Sequence, residues 1–203
     1  MNSTNSLPPT GEGVVIDIGT GDGLFVYQSA RENPRKFYIG VDANARPLEK
    51  ISEKIHRKPA KGGLPNILFV HAAVEDLPSE LDGVADEVHV HFPWGSLLRA
   101  VFTADRSVLG NLRRICAPDA VLEVVLGLNK DRDRTESERL GLPPLSVEFI
   151  DSVLKSAYRD AGFEVIDRRF LRAHECAEMK CSWARRLSHD RNRNVCCILA
   201  RAI

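Results

Sequence analysis

The stretch Val14-Val15-Ile16-Asp17-Ile18-Gly19-Thr20-Gly21-Asp22-Gly23 constrains the fold more than any other part of the chain. An apolar, β-branched run ends in three glycines at alternate positions, and an amphipathic stretch, 24–31, follows at once. This pattern predicts a buried strand that turns tightly into a helix. Glycines at such a turn let a ligand lie against backbone N–H groups at the positive end of the helix dipole. The turn reads as a nucleotide cradle.

What the turn lacks narrows the nucleotide. No Lys-Ser/Thr pair follows the glycines, which excludes a phosphate-gripping P-loop, and G-T-G-D-G is not the G-x-G-x-x-G of dinucleotide folds. Asp17 and Asp22 would repel a pyrophosphate but suit a ligand carrying an amine and a sulfonium, which is S-adenosylmethionine (SAM). The cradle itself is Gly19, Thr20 and Gly21. A second buried strand, 36–42, ends in Asp42, placed to accept hydrogen bonds from ribose hydroxyls. A third, 66–71, runs into small residues and acids, where Val74 and Glu75 are the expected adenine contacts.

The 203 residues suffice for one core, and a single domain spanning 1–203 is expected, with an irregular lead-in at 1–13. Lys+Arg and Asp+Glu balance at 28 each, so total charge decides nothing about nucleic acid and its distribution has to. With no signal pattern, lipidation site or membrane-length apolar run, a cytoplasmic protein is expected. Five cysteines without a C-x-x-C pair fit reduced packing thiols. His89 and His91 fall on one face of a strand, but no third ligand stands at metal-site spacing, so no metal is expected.

Further strands are predicted at 87–92, 119–126, 163–171 and 195–202, with a helix at 47–58, a helical region reaching Cys116, and a helix from Ser146 that stops at Gly162. Strands alternating with helices at this spacing specify a parallel, doubly wound α/β sheet whose ligands bind at the strands' carboxyl ends. Two connections are long. Residues 128–145 read as a charged loop able to cover a site. The other, 172–193, lies in a stretch (168–193) with eight Lys/Arg against three acids and an embedded Trp183, the signature of a nucleic-acid surface. Lys50, Lys54, Arg57 and Lys58 share one helix face and Lys61 extends it, a second candidate phosphate contact.

At the end of the fourth strand stands Phe92-Pro93-Trp94-Gly95-Ser96. Trp94 is suited to serve as an aromatic platform for a base, and Trp183, on a connection leaving the same sheet edge, to close a sandwich. A base flipped from an RNA stem costs a few kcal/mol, and stacking returns about 1–3 kcal/mol per base. Adenine N1 already presents a lone pair, so alignment suffices without a general base.

Asp17-Ile18-Gly19-Thr20-Gly21-Asp22-Gly23, Phe37-Tyr38-Ile39-Gly40-Val41-Asp42, Lys58-Pro59-Ala60-Lys61-Gly62-Gly63-Leu64, Phe92-Pro93-Trp94-Gly95, Gly141-Leu142-Pro143 and Trp183-Ala184-Arg185-Arg186-Leu187 together resemble one family. It is the bacterial 16S rRNA (adenine 1408-N1) methyltransferases that confer aminoglycoside resistance of the kanamycin and apramycin type. The resemblance implies a class I SAM-dependent methyltransferase fold, Rossmann-like, with a seven-stranded, mostly parallel sheet, helices on both faces and two late inserted connections. It implies SAM at Gly19, Asp42, Val74, Glu75 and the stretch His91, Phe92, Pro93, Trp94 and Ser96, and a flipped adenine held by Trp94 and Trp183. It further implies rRNA contacts at Lys54, Arg57, Lys58, Lys61, Arg186, Arg191 and Arg193, and a monomer acting on the assembled 30S subunit. The chain departs from some relatives at Leu140, where an arginine can stand. Other SAM-dependent enzymes (tRNA guanine-N7 or small-molecule methyltransferases) and a non-catalytic SAM- or RNA-binding module are the competing readings.

Overall fold

The computed structural model describes residues 11–129, 131–179, 181, 182, 184 and 193–203. Seven strands form one sheet: β1 (Val14–Ile18), β2 (Phe37–Asp42), β3 (Ile67–His71), β4 (Ala85–His91), β5 (Cys116–Asn129), β6 (Phe163–Leu171) and β7 (Arg193–Ala202). They stand in the order β3-β2-β1-β4-β5-β7-β6. Only β7 runs against the rest, antiparallel to both of its neighbours. The order reverses between β1 and β4, and a doubly wound sheet opens its ligand crevice at that point, outside the carboxyl ends. The glycine turn after β1 sits there.

Near-continuous apolar runs make these strands because both faces of the sheet are covered. On one face α3 (Gly95–Phe102), α4 (Arg106–Ile115) and the helical run 147–160 pack over a large cluster that includes Ile16, Val88, Phe102, Leu109, Leu122 and Tyr158. On the other, α1 (Leu24–Glu32) and α2 (Glu49–Ile55) bury Val15, Val26, Tyr27, Tyr38 and Ile55. A third cluster on that second face joins Phe92, Val125, Cys176, Val195 and Cys197.

Several boundaries differ from the sequence expectation. Strand β5 begins at Cys116, three residues before the expected start: Cys116 pairs with Ala85 ahead of a register shift, and Asp119 within that irregular stretch takes a left-handed φ of 61°. The stretch 128–145 is not a plain loop: β5 continues to Asn129, and α5 (Arg134–Leu140) follows, ended by a left-handed Gly141. The helix after Ser146 is present, with the Ser146 hydroxyl accepting from Phe149 N–H, but its middle turn, Ile150–Leu154, is π-helical between α6 (Val147–Phe149) and α7 (Lys155–Asp160). The helix expected at 47–58 starts as a 3₁₀ turn and ends at Ile55. In the second long connection, α8 (Ala173–Glu178) is the helical part.

All five cysteines are free. Among the described residues no helix is long and apolar enough to cross a membrane.

Candidate active site

The carboxyl edge of β1, β2 and β4 encloses two adjoining cavities that share Gly19 and Gly21 as a common wall. The larger, about 300 Å³, is lined by Asp42, Val74, Glu75, Phe92, Pro93, Trp94 and Ser96 among others. The smaller, about 230 Å³, is lined by Asp17, Thr20, Asp22, Phe25, His91, Cys181 and Ser182 among others. Every residue that the sequence reading assigns to the cofactor lines one or the other.

The glycine turn is held by its own backbone N–H groups, which donate to β2 and to the side chain at its end. Gly19 and Thr20 N–H both donate to the Val41 carbonyl, at 2.8 and 3.1 Å. Gly21 N–H donates to Asp42 Oδ2 at 2.8 Å, and Asn44 N–H to Asp42 Oδ1 at 2.8 Å. Asp42 therefore fixes the turn and still keeps lone pairs facing the larger cavity. Gly23 has φ 69°, and a Cβ there would press to 2.6 Å on the Phe69 ring, so the turn accepts no other residue at that point.

Asp17 lies beneath this turn. Burial pushes its carboxyl up to about 7 against the opposing pull of Thr20 and His89, and Oδ1 has no hydrogen-bond partner among the described residues. A buried carboxyl left partly unpaired suits a ligand that brings its own donor. With the glycine cradle and the ribose-ready Asp42, these residues fit SAM.

At the far wall, Phe92 turns the chain. Its φ of 47° is a left-handed value rare for a bulky residue, and its N–H donates to the Val125 carbonyl at 2.8 Å. Its ring lies against Gly127, where a Cβ would come within 2.8 Å of Cδ1. The kink throws Pro93 and Trp94 outward, and Trp94, 54% exposed, stands at the cavity mouth with no ring partner among the described residues. A solvent-exposed indole beside a cavity has no packing role to explain it.

Trp183 lies outside the described residues, as do Lys180, Arg185, Arg186 and Arg191. Its neighbours are described. Ser182 Oγ donates to Asp22 Oδ2 at 2.6 Å, and Ala184 is fully buried in the cluster that holds Phe92. The connection that carries the second tryptophan thus folds back onto the cofactor edge.

Of the basic positions, Arg57, Lys58 and Lys61 are exposed. Lys54 lies over the Tyr27 ring at 4.1 Å, and Tyr27 Oη donates to the Gly62 carbonyl at 3.0 Å. The Lys61-Gly62-Gly63 loop is pinned to the end of α2, because a Cβ at Gly63 would fall 1.7 Å from the Arg57 carbonyl oxygen. Arg193 corrects the sequence expectation: its side chain is only 7% exposed and its guanidinium grips Asp133 Oδ2 at 2.6 Å and the Gly127 carbonyl at 2.8 Å. It ties β7 to the turn before α5 and does not offer a free charge to phosphate. Leu140 is buried in the core, while Arg139 is exposed and paired with Glu136 at 2.7 Å.

Sequence reasoning missed two groups. Asn111, on α4, donates through Nδ2 to the Val74 and Glu75 carbonyls at 3.0 and 3.1 Å and so fixes the expected adenine wall. Only the fold brings it there. The second is Glu123, which pairs with His89 across β4 and β5 and whose Oε1 lies 2.6 Å from His91 Nε2. No third ligand stands at metal-site spacing in the sequence, but the fold brings one to the two histidines from the adjacent strand.

The family model described as "NpmA: 16S rRNA (adenine(1408)-N(1))-methyltransferase" matches residues 4–202. A 16S rRNA (adenine(1408)-N(1))-methyltransferase of Streptoalloteichus hindustanus is 42% identical over 180 residues, 89% of this chain and 82% of that protein. The crystal structure of the aminoglycoside resistance methyltransferase NpmB1 is 48% identical, with a TM-score of 0.81, covering 95% of this chain and 88% of its own. A mutant of the 16S rRNA (adenine(1408)-N(1))-methyltransferase from Catenulisporales acidiphilia, crystallised with cosubstrate SAM, is 36% identical with a TM-score of 0.86, over 95% of this chain and 86% of its own.

Proposed function

Because the chain belongs to the 16S rRNA (adenine(1408)-N(1))-methyltransferase family, and is therefore a methyltransferase that takes its methyl group from SAM, we propose that it methylates N1 of the decoding-site adenine in the assembled 30S subunit. It does so as a cytoplasmic monomer, and the methylated, cationic base repels and crowds aminoglycosides. The observation that carries this reading is the position of Trp94, exposed at the mouth of a cavity whose walls are the glycine turn, Asp42 and the Val74-Glu75 carbonyl pair held by Asn111.

When bound, SAM supplies an electrophilic methyl on its sulfonium. Gly19, Thr20, Gly21 and Asp17 cradle its amino-acid end, Asp42 accepts from the ribose, and Val74 and Glu75 flank the adenine. His91, Phe92, Pro93 and Ser96 close the wall from which the methyl is presented. Trp94 stacks on the flipped target base, and Trp183 is the second platform in this proposal. N1 of the neutral base carries a lone pair, so no side chain has to remove a proton before attack. Holding two reactants in line is the chain's contribution. Arg57, Lys58 and Lys61 form one phosphate-facing surface, with Lys54 beside them, and Arg186 and Arg191 are the further phosphate contacts in this proposal.

Incubation with labelled SAM and, in parallel, 30S subunits, free 16S rRNA and tRNA tests the reading. Label in 30S, with a primer-extension stop at the decoding-site adenine and raised kanamycin and apramycin tolerance on expression, is the expected result. Label in tRNA alone, or binding without turnover, overturns it.

A further inference from the structure

The face of the sheet that meets α1 is apolar at both sides and polar in the middle. Between the cluster under α1 and α2 and the cluster beside α8 stand Asp17, Glu87, His89, His91 and Glu123. The register places Asp17 beside His89, and His89 beside Glu123. Paired positions on neighbouring strands point to the same face. Polar groups at the centre of a covered sheet are costly unless partnered; Asp17 Oδ1 and His91 Nδ1 have no hydrogen-bond partner among the described residues, while other atoms of His89, His91 and Glu123 converge.

His89 Nδ1 and His91 Nε2 stand 3.3 Å apart. Glu123 Oε1 lies 2.6 Å from His91 Nε2 and 3.6 Å from His89 Nδ1. Independently, His89 Nε2 faces Glu87 Oε2 at 3.3 Å, and Lys36 Nζ holds the other oxygen of that carboxylate at 2.5 Å. A proton on Nε2 satisfies Glu87 and leaves the Nδ1 lone pair aimed at His91 and Glu123. A carboxylate behind an imidazole is the usual support of a metal-binding histidine, fixing its tautomer and raising its basicity.

From these observations we infer that His89 Nδ1, His91 Nε2 and Glu123 Oε1 form a binding site for a divalent transition-metal ion of the zinc class. Ligand atoms about 2.0–2.1 Å from a tetrahedral zinc ion are about 3.4 Å apart, and the two nitrogens already stand near that separation. Glu123 has to swing outward by less than about 1 Å to complete the set, and at 27% side-chain exposure it has room. The histidine rings are held by Phe25, whose ring centroid lies 5.3 Å from His89 and 4.7 Å from His91. Two imidazoles and one carboxylate favour zinc-like ions over calcium or magnesium, which take oxygen sets. Glu123 offsets part of the double positive charge, and Glu87, shared with Lys36, lies behind His89. Three protein ligands leave a fourth position for water. The ion staples β4 to β5 directly below the cavity that His91 and Asp17 line.

The test uses the full-length protein, stripped with a chelator and free of nucleotide, titrated with Zn²⁺ by calorimetry and with Co²⁺ by visible absorption. One equivalent binds, and the Co²⁺ spectrum shows the d–d bands of a nitrogen and oxygen set without a thiolate charge-transfer band. His89→Asn and Glu123→Gln each weaken binding at least tenfold, and Glu87→Gln weakens it by roughly ten- to a hundredfold, with circular dichroism confirming that the variants are folded. If His89→Asn does not fold, Glu123→Gln, which keeps size and hydrogen bonding, decides alone. Absence of binding overturns the inference. So does wild-type affinity in Glu123→Gln, or a thiolate band assigning the ion to the cysteines as an adventitious ion only.

Discussion

Ser182 Oγ donates to Asp22 Oδ2 at 2.6 Å, joining residues 160 positions apart. Asp22 Oδ1 meanwhile accepts from Leu24 N–H at 3.2 Å, at the first turn of α1. One carboxylate therefore fixes the start of the cradle helix and the middle of the connection that carries Trp183, at the residue just before it. Ser182→Ala should lower kcat/KM for 30S methylation several-fold while the Kd for SAM, measured by calorimetry, stays within about twofold, since a single exposed hydrogen bond contributes roughly 0.5–1.5 kcal/mol net. Equal losses in both quantities would place the bond in the cofactor cradle alone.

Trp94→Ala removes an exposed side chain, so thermal stability should hardly change. The loss of one stacking platform, about 1–3 kcal/mol, should reduce methylation by about five- to a hundredfold with SAM affinity largely kept. Single-turnover assays on 30S subunits check this, and near-normal rates would remove the platform role.

Asn111→Leu keeps the branching of the side chain but leaves the Val74 and Glu75 carbonyls without their donor. The SAM Kd should rise by about tenfold, the effect of roughly 1.4 kcal/mol, in keeping with the loss of two hydrogen bonds near a ligand wall. Calorimetry with SAM checks this, and an unchanged Kd would show that the wall holds its shape without α4.

The pH dependence of the ligand-free protein follows from Asp17. Its carboxyl titrates near 7 when folded and near the ordinary carboxylate value when unfolded, so between about pH 4 and 7 the folded state binds more protons. Stability from this group is complete below pH 4, falls as pH rises towards 7, and is level above. Glu87 acts oppositely and elsewhere: His89, then Lys36, hold it at about 2, and its contribution is lost only as pH falls towards that value. Asp17→Asn should abolish the decline between pH 4 and 7, read as the difference in Tm between variant and wild type across that range. A constant difference would show that the carboxyl is not buried in solution.

Arg193→Ala should destabilise the fold by roughly 3–5 kcal/mol, because it leaves Asp133, 10% exposed, without its buried partner. Thermal melts measure this. The salt dependence of 30S binding, once corrected for the folded fraction, should stay as in wild type, whereas Lys58→Ala and Lys61→Ala should each lower the slope by about one counterion. A reduced slope in Arg193→Ala would mean that the guanidinium leaves Asp133 for phosphate.

Much of the fold was legible because each of the first five strands carries its own apolar run and helices stand between most of them, with 3₁₀ turns at Val74–Asp76 and Ser79–Leu81 joining β3 to β4 instead. The residues that line the two cavities were legible for the same reason: Asp17, Gly19, Asp42, Val74 and Trp94 all sit at or just beyond strand ends, and in a doubly wound sheet those ends converge. What could not be read depends on neighbours distant in sequence. The burial of Arg193 needs Asp133, the clamp by Asn111 needs the 3₁₀ turn at Val74–Asp76, and Glu123 meets His91 only through the β4–β5 register. Helix α5 escaped notice because its seven residues are mostly charged and show no apolar stripe.

The contact between the Phe92 ring and Gly127 couples the history of two positions. A lineage that gains a methyl at 127 without first losing the ring at 92 meets a collision beneath the indole at the cavity mouth, and one that shrinks 92 first leaves a hole there. Drift at this corner must proceed by paired exchange, so the two sites should vary together or not at all among descendants that keep the activity.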